Sequence, residues 1–310
     1  MPSALVIFLA LATALVIVLS FLSFGGSSEE GQPTLAEFTP GQPPPSKVGI
    51  APHTLGSGFS VTLPGPPPAM SNSVVAGDNG LPYLLRIPRG RNSSTTLVVF
   101  LHGAGESGAQ PWGLLPGYDP KSSTWEAGVP APVRSTPPGL AVDGSSLIEG
   151  VAVLAPQTLE GWGQGTHARI ISLMDSVIET YHLNPARVVL TGISMGGAGA
   201  WLLGASFPHR FAAIAPICGY HNGGAEGIAN ALKSTPLYVA HGPNDGVVPH
   251  DLSAELVKAV KERGNLDVVF DQTNGTFPEG AEYMEGHDSW TRVYRSDEFW
   301  QWVRAKSGGR

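Results

Sequence analysis

One short glycine-rich stretch constrains the fold of this chain more than any other feature. Residues 192–197 have the sequence Gly-Ile-Ser-Met-Gly-Gly and follow the apolar, β-branched run at 188–190. The residues at 198–203 are small or apolar and predict a helix. A strand that turns sharply on a serine and enters a helix leaves the hydroxyl standing above the sheet. The stretch therefore predicts an α/β fold in which Ser194 is a nucleophile.

A serine hydroxyl needs a neighbouring base, and that base needs an orienting acid, before it attacks a carbonyl carbon. An apolar strand at 236–240 leads into a loop that holds Asp245, and a later loop holds His287. Loops at the carboxyl ends of parallel strands gather at one edge of the sheet. We therefore expect Asp245 as the acid and His287 as the base. Asp251 is the alternative acid, although it begins a predicted helix.

Backbone amides near the serine are expected to form an oxyanion hole. The apolar strand at 97–101 is followed by His-Gly-Ala-Gly-Glu. In a fold with this serine turn, that loop gives one N–H donor and the residue after the nucleophile gives the other. We assign these donors to Ala104 and Met195, with Gly103 as the alternative to Ala104.

Three further side chains are expected to contact substrate. Gln157 and Trp162 follow the strand at 151–155, and Glu106 lies in the predicted oxyanion loop. The irregular, proline-rich segment 107–149 is long for a loop inside a compact domain, and such loops are commonly functional. We expect it either to form a lid or wall over the serine or to be packed as an ordinary loop.

The other chemically capable residues are expected to be structural. His102 and His241 each stand at the end of a strand, where a ring can bond to loop backbone. Cys218 is the only cysteine, which excludes an intramolecular disulfide. The sequence has neither the spacing of metal ligands nor a phosphate-binding glycine loop. We therefore expect no metal and no cofactor.

The composition of the chain indicates its fold class and limits its possible partners. Its 310 residues are 42% hydrophobic, enough for one large core. The formal net charge is −7, and no basic run is present, which argues against nucleic acid as a partner. We predict one α/β domain with a mostly parallel central sheet and helices on both faces. A first strand is expected at 59–63 and an antiparallel edge strand at 81–88; the parallel strands are expected at 97–101, 151–155, 188–191, 212–217, 237–240 and 268–270.

The N-terminus predicts an export signal. Residues 4–24 are nearly all apolar and carry no charge, and about 1.5 Å per residue lets them span roughly 30 Å of hydrocarbon. We expect residues 1–24 to be a signal anchor or a cleaved signal peptide. Residues 25–56 are rich in proline and glycine and predict a linker before a catalytic domain at 57–310. The catalytic domain is then exported, either membrane-anchored on the luminal side or secreted.

The motifs at 101–106, 155–157, 192–197, 241–249 and 286–290 together resemble the α/β-hydrolase superfamily of serine esterases. The chain from about Tyr83 to Arg304 is most similar to the branch of feruloyl and acetylxylan esterases. That branch also holds the polyhydroxybutyrate depolymerase-like proteins, the phospholipase/carboxylesterases and the "predicted peptidases". The resemblance implies Ser194 as nucleophile, Asp245 as acid and His287 as base, in agreement with the residues themselves.

These features predict a serine hydrolase that cleaves carboxylic esters through an acyl-enzyme. The expected substrate is a small-molecule or polymer-borne ester, and the membrane is contacted only through the N-terminal segment. A peptidase or a thioesterase with the same three residues is one alternative. A membrane-tethered binding protein without catalytic activity is the other.

Overall fold

The computed structural model describes residues 60–62, 70–75, 81–88, 91–107, 118–119, 124–125, 150–275 and 286–308. The predicted N-terminal segment 1–24, the predicted linker and most of the segment 107–149 lie outside these residues. Among the described helices, none is both long and apolar enough to cross a bilayer.

A nine-stranded sheet forms the centre of the described chain, in the order β1-β2-β3-β7-β4-β8-β9-β10-β11. A separate antiparallel pair, β5 and β6, lies within the predicted lid segment. The strands are β1 Ser60–Thr62, β2 Met70–Val75, β3 Tyr83–Pro88, β4 Thr96–Leu101, β5 Tyr118–Asp119, β6 Thr124–Trp125, β7 Val151–Pro156, β8 Val188–Ile193, β9 Ala213–Ile217, β10 Leu237–Ala240 and β11 Val268–Asp271.

Six neighbouring strands are parallel to one another: β7, β4, β8, β9, β10 and β11. Strands β1, β2 and β3 are antiparallel to their neighbours. Every residue of β4, β7, β8, β9 and β10 is buried, as expected of strands covered on both faces. The predicted mostly parallel α/β sheet is confirmed.

The prediction that 81–88 forms an edge strand is wrong. Strand β3 pairs with β7 on one side and with β2 on the other, where Tyr83 lies opposite Val75. Strand β2 was not predicted, because its centre is Ser71-Asn72-Ser73 and shows no apolar run. Backbone hydrogen bonding to a neighbouring strand, rather than side-chain character, places these residues in the sheet.

Within the described residues, six helices and one 3₁₀ turn, Ala104–Glu106, lie between or after the strands. The helices are α1 Gln164–Tyr181, α2 Met195–Ser206, α3 Ala225–Ala231, α4 His250–Glu262, α5 Trp290–Tyr294 and α6 Asp297–Ser307. Helix α2 was expected after the serine turn, and α4 was expected to begin near Asp251. Helices α3 and α5 are short and were not predicted.

The side chains of β4 point alternately to the two faces of the sheet and show that helices cover both faces. Leu97 and Val99 belong to a core cluster that also holds Met174 of α1. Phe100 points to the opposite face, because successive side chains of a strand alternate. Its ring packs edge-on against Tyr294 of α5, with centroids 6.0 Å apart. Because the sheet is packed on both faces, the ends of its strands, which carry the site, are held in place.

Candidate active site

Ser194 occupies the sharp turn between β8 and α2. Its backbone has φ 50° and ψ −115°, a conformation that residues with a Cβ rarely adopt. Its N–H donates to the carbonyl of Ile217 at 2.9 Å, which ties the turn to the next strand. A Cβ at Gly192 would collide with the carbonyl of Gly196, and a Cβ at Gly196 with that of Leu101. The flanking glycines therefore allow the turn to close.

His287 connects Ser194 to Asp245. Its Nε2 lies 2.9 Å from Ser194 Oγ, and its Nδ1 lies 2.7 Å from Asp245 Oδ2. A carboxylate only accepts hydrogen bonds, so Nδ1 carries the proton and Nε2 accepts from the serine hydroxyl. The ring is buried and meets the edge of Trp290, with centroids 5.3 Å apart. The three predicted residues thus form one continuous chain of hydrogen bonds.

The Asp245 carboxylate is held by four donors. Oδ1 accepts from the backbone N–H groups of Val247 and Val248, both at 2.9 Å. Oδ2 accepts from His287 and lies 3.1 Å from Nε2 of His241. Burial raises the pKa of this carboxyl, but the hydrogen bonds from His241 and His287 outweigh burial and lower it to about 2. Asp245 is therefore ionised throughout the neutral range.

Asp251, the alternative acid, lies away from this chain of bonds. It stands in the first turn of α4, and its side chain is fully exposed to solvent. Its carboxylate faces the ring of His250 at 3.7 Å. Of the two candidate acids, the structure brings Asp245 to His287.

The loop after β4 packs directly on the serine turn. Gly196 approaches the carbonyls of Leu101 and His102 too closely for any side chain. Ala104 begins the 3₁₀ turn and Met195 begins α2. The first amides of a helical turn have no acceptor within that turn and stay available to an anion. The two predicted oxyanion donors have this character, and Gly103 remains the alternative to Ala104.

His102 is a structural residue, as predicted. Its Nδ1–H donates to the carbonyl of Gly103 at 2.7 Å, and its Nε2 accepts from the N–H of Thr158 at 3.2 Å. The ring is completely buried, and loss of solvation lowers its pKa to about 4, although the bond to Gly103 opposes this shift. A neutral ring therefore joins the oxyanion loop to the segment after β7.

Two of the three predicted substrate contacts hold the same loop. Trp162 Nε1 donates to the carbonyl of His102 at 2.8 Å, and Gln157 Nε2 donates to the carbonyl of Glu106 at 2.8 Å. The side chains of Trp162, Gln157 and Glu106 are all buried. The hydrogen bonds of Trp162 and Gln157 brace the main chain around Ala104. Substrate contact by these residues stays a prediction.

Two residues of the acid loop were not predicted to matter for the site. His241 contacts the acid directly, and its position at a strand end predicted only a structural role. Asn244 joins the loop of Asp245 to a neighbouring loop: its Oδ1 accepts from Gly275 N at 3.0 Å, and its Nδ2 donates to Gly275 O at 3.3 Å. A side chain at Gly286, just before the base, would collide with the backbone of Asn244. Asn244 could have been found from its position next to Asp245, whereas nothing in the sequence marks His241 as a partner of the acid.

One group of possible metal ligands occurs in the described part of the chain: Cys218, Asp245 and His287, with ligand atoms within 4.8 Å of one another. Burial and the charge of Asp245 raise the pKa of the Cys218 thiol well above its usual value. The Asp245 and His287 atoms already share a hydrogen bond of 2.7 Å. As predicted, Cys218 is a small buried residue beneath the site.

Sequence comparisons find relatives that are named as hydrolases and esterases. Residues 151–272 match the dienelactone hydrolase family. Acyl-protein thioesterase 1 of Emericella nidulans is 32% identical over 95 residues, covering 28% of this chain and 39% of that protein. A bifunctional acetylxylan esterase/xylanase of Neocallimastix patriciarum is 28% identical over 121 residues, covering 37% of this chain and 18% of that protein. The chain thus spans well under half the length of either relative.

A solved structure of a thermostable esterase superposes with a TM-score of 0.57 at 26% identity, over 79% of this chain and 62% of that one. The chain has the α/β-hydrolase fold. The predicted resemblance to serine esterases of this superfamily is confirmed by the family match and by this structure.

Proposed function

We propose that this protein is a serine hydrolase that cleaves carboxylic esters. The observation that carries the proposal is the hydrogen-bond chain from Ser194 Oγ through His287 to Asp245, with links of 2.9 and 2.7 Å. Both distances lie within the range in which a base can take a proton directly. The names of its relatives support the ester class, since they include an acetylxylan esterase and a thermostable esterase.

Acylation begins when Ser194 Oγ attacks the carbonyl carbon and His287 Nε2 takes the hydroxyl proton. The carbonyl oxygen gains negative charge, and the N–H groups of Ala104 and Met195 donate to it. The tetrahedral intermediate collapses as the bond to the alcohol oxygen breaks. His287 Nε2–H gives its proton to that oxygen, so an alcohol leaves and the acyl group stays on Ser194.

Deacylation repeats these steps with water. His287 takes a proton from water, the resulting oxygen attacks the acyl carbon, and Ser194 leaves as the alcohol after regaining its proton. Asp245 stays ionised throughout and holds the ring with Nδ1–H directed at Oδ2. No cofactor takes part in either half of this cycle, because the nucleophile, base and oxyanion donors all belong to the chain.

A thioesterase is the second candidate, and the name of the relative in Emericella nidulans favours it. A peptidase with the same residues and a tethered binding protein without activity are the remaining alternatives. Matched ester, thioester and amide substrates with one acyl group separate the first three, because only the leaving group differs. We propose the ester as the best substrate, in small-molecule or polymer-borne form.

The experiment compares hydrolysis of a short-chain p-nitrophenyl ester by the full chain and by Ser194→Ala. We expect the variant to lose at least about 10³-fold in kcat/KM, because the nucleophile is removed. Ser176→Ala is the matched control: Ser176 is exposed on α1 and bonds only the carbonyl of Ser172. Equal turnover by the parent and Ser194→Ala would refute the proposal.

We further propose that the N-terminal segment exports the catalytic domain, as anchor or cleaved signal, and that the membrane is contacted through it alone. The support is the uncharged apolar run at 4–24. Fractionation of cells that express the full chain and a chain lacking residues 1–24 tests this. Recovery of both chains in the same compartment would contradict it.

A further inference from the structure

A second histidine contacts the carboxylate of Asp245. His241 follows the last residue of β10, and its side chain is completely buried. Its Nε2 lies 3.1 Å from Asp245 Oδ2 and 3.0 Å from the carbonyl oxygen of Val248. Both partners accept hydrogen bonds and neither can donate one, so Nε2 carries a proton. His241 therefore donates to the oxygen that also accepts from His287.

The ring of His241 is itself held in place. Its Nδ1 lies 2.8 Å from Ser253 Oγ on α4, and the Ser253 hydroxyl lies 2.9 Å from the carbonyl oxygen of Gly219. Ser253 is completely buried, so water does not replace these bonds. The backbone amide of His241 donates to the carbonyl of Asp271 at 2.9 Å. These bonds hold the ring of His241 against the carboxylate of Asp245.

We propose that His241 is a positioning residue that fixes the carboxylate of Asp245 for catalysis. The inference rests on the proposed function of the triad. Two backbone amides hold Oδ1. Unless a donor other than the catalytic base also holds Oδ2, the carboxylate can rotate about Oδ1 and move Oδ2 out of line with His287. His241 is that donor, and it directs Oδ2 at Nδ1 of His287.

A second consequence concerns the charge of the carboxylate. A hydrogen bond from His241 makes Oδ2 a weaker acceptor for the proton on His287, because the same lone pairs are shared. Loss of the bond from His241 therefore strengthens the bond between Oδ2 and the Nδ1–H of His287. Cys218, Asp288 and the ring of His250, 5.5 Å from that of His241, are the other titratable groups around this network.

The test compares His241→Leu, which removes the donor, with His241→Gln, whose Nε2 amide can replace it. We expect His241→Leu to lower kcat by about 10- to 100-fold, the size of effect that a small misplacement of a catalytic group produces. KM should stay within about twofold, because the carboxylate of Asp245 positions the base and does not bind substrate. His241→Gln should recover most of kcat.

His250→Leu is the matched control. Its ring packs against that of His241 and stacks on Phe270 at 5.5 Å, and its bonded neighbours do not include Asp245. We expect this variant to keep the parent kcat. The proposal is overturned if His241→Leu retains kcat within twofold, if the loss falls on KM alone, or if His250→Leu loses as much.

A proton resonance separates this proposal from the proposed function. The proton shared by His287 and Asp245 resonates far downfield in the free protein, without any substrate. We expect His241→Leu and Ser253→Ala to shift this signal and His250→Leu to leave it in place. An unmoved signal in Ser253→Ala overturns the proposal even if His241→Leu fails to fold. A parent that hydrolyses no ester but shows these shifts would refute the ester function and leave the network intact.

Discussion

At the scale of single residues, the nucleophile is held in a strained backbone. A residue with a Cβ at φ 50° and ψ −115° costs on the order of 1–3 kcal/mol. Glycine reaches this region without strain, but it has no hydroxyl. The proposed mechanism therefore requires a serine at position 194, although the backbone of the turn favours glycine there.

This strain predicts that glycine at position 194 stabilises the fold although it abolishes activity. Ser194→Gly should unfold with a free energy about 1 kcal/mol higher than that of Ser194→Ala, because only glycine relieves the backbone strain. Both variants should be inactive. Urea unfolding of the two proteins measures the difference. A Ser194→Ala variant that is as stable as Ser194→Gly would show that the turn stores no strain.

The second prediction at this scale concerns His102. The folded chain keeps this ring neutral down to a pKa of about 4, whereas the unfolded chain protonates it near the ordinary histidine pKa of 6.5. The unfolded state therefore binds more protons between these values, and stability falls as pH falls through this window. The full difference corresponds to about 3 kcal/mol, since each pKa unit is worth about 1.4 kcal/mol.

Urea unfolding at pH 7.5 and at pH 4 checks this expectation. The parent should lose about 3 kcal/mol more free energy of unfolding over this interval than His102→Gln, in which the titrating group is absent. Only the difference between the two proteins counts, because other groups titrate equally in both. Identical losses would mean that the ring is not held neutral.

At the scale of elements, the contact between α2 and the loop after β4 joins the nucleophile to the oxyanion donors. Gly196 lies against the carbonyls of Leu101 and His102, with no room for a Cβ. Gly227 on α3 is also a helical glycine, but nothing lies within 4 Å of a Cβ added there. Replacing each glycine by alanine therefore compares the same change at a crowded position and at an open one.

Alanine should therefore act in opposite directions at these two positions. Gly227→Ala should raise the free energy of unfolding by about 0.5–1 kcal/mol, because alanine favours the helix. Gly196→Ala should lower it by about 1–3 kcal/mol and separate the oxyanion loop from Ser194, with loss of ester hydrolysis. Thermal unfolding and turnover of both variants provide the measurement. A Gly196→Ala protein with parental stability would contradict the close approach.

The same elements show how far the sequence predicts the fold. Strands β4, β7 and β8 were predicted within one or two residues, because their runs of valine, leucine and alanine are typical of strands buried on both faces. Strand β2 was missed, because Ser71-Asn72-Ser73 has no such run. Helix α3 was missed because seven residues that include a glycine give little periodicity. Pairing partners decide such segments, and they are not local in sequence.

The candidate site follows a similar division. Ser194, Asp245 and His287 could be predicted because each stands in a loop with a recognisable local sequence. The role of His241 could not, because it depends on a distance of 3.1 Å across a loop. Trp162 and Gln157 were expected at the substrate, and the structure shows them bonded to the main chain of the oxyanion loop. The sequence predicted their region but not the direction of their polar groups.

At the scale of the whole molecule, the sheet brings together residues that are far apart in the chain. Ser194 follows β8, Asp245 follows β10, and His287 follows β11 and a further loop. These parallel strands all end at the same edge, so their loops meet there. The hydrogen-bond chain therefore depends on the sheet that brings these loops together, and we propose that it makes Ser194 a nucleophile.

Mass spectrometry of the protein quenched during turnover of a slowly hydrolysed ester shows whether Ser194 carries the acyl group. We expect an acyl adduct on the peptide that holds Ser194, formed in the parent and absent from Ser194→Ala and His287→Ala. Hydrolysis of the ester with no adduct on Ser194, or an adduct of equal yield in His287→Ala, would contradict it.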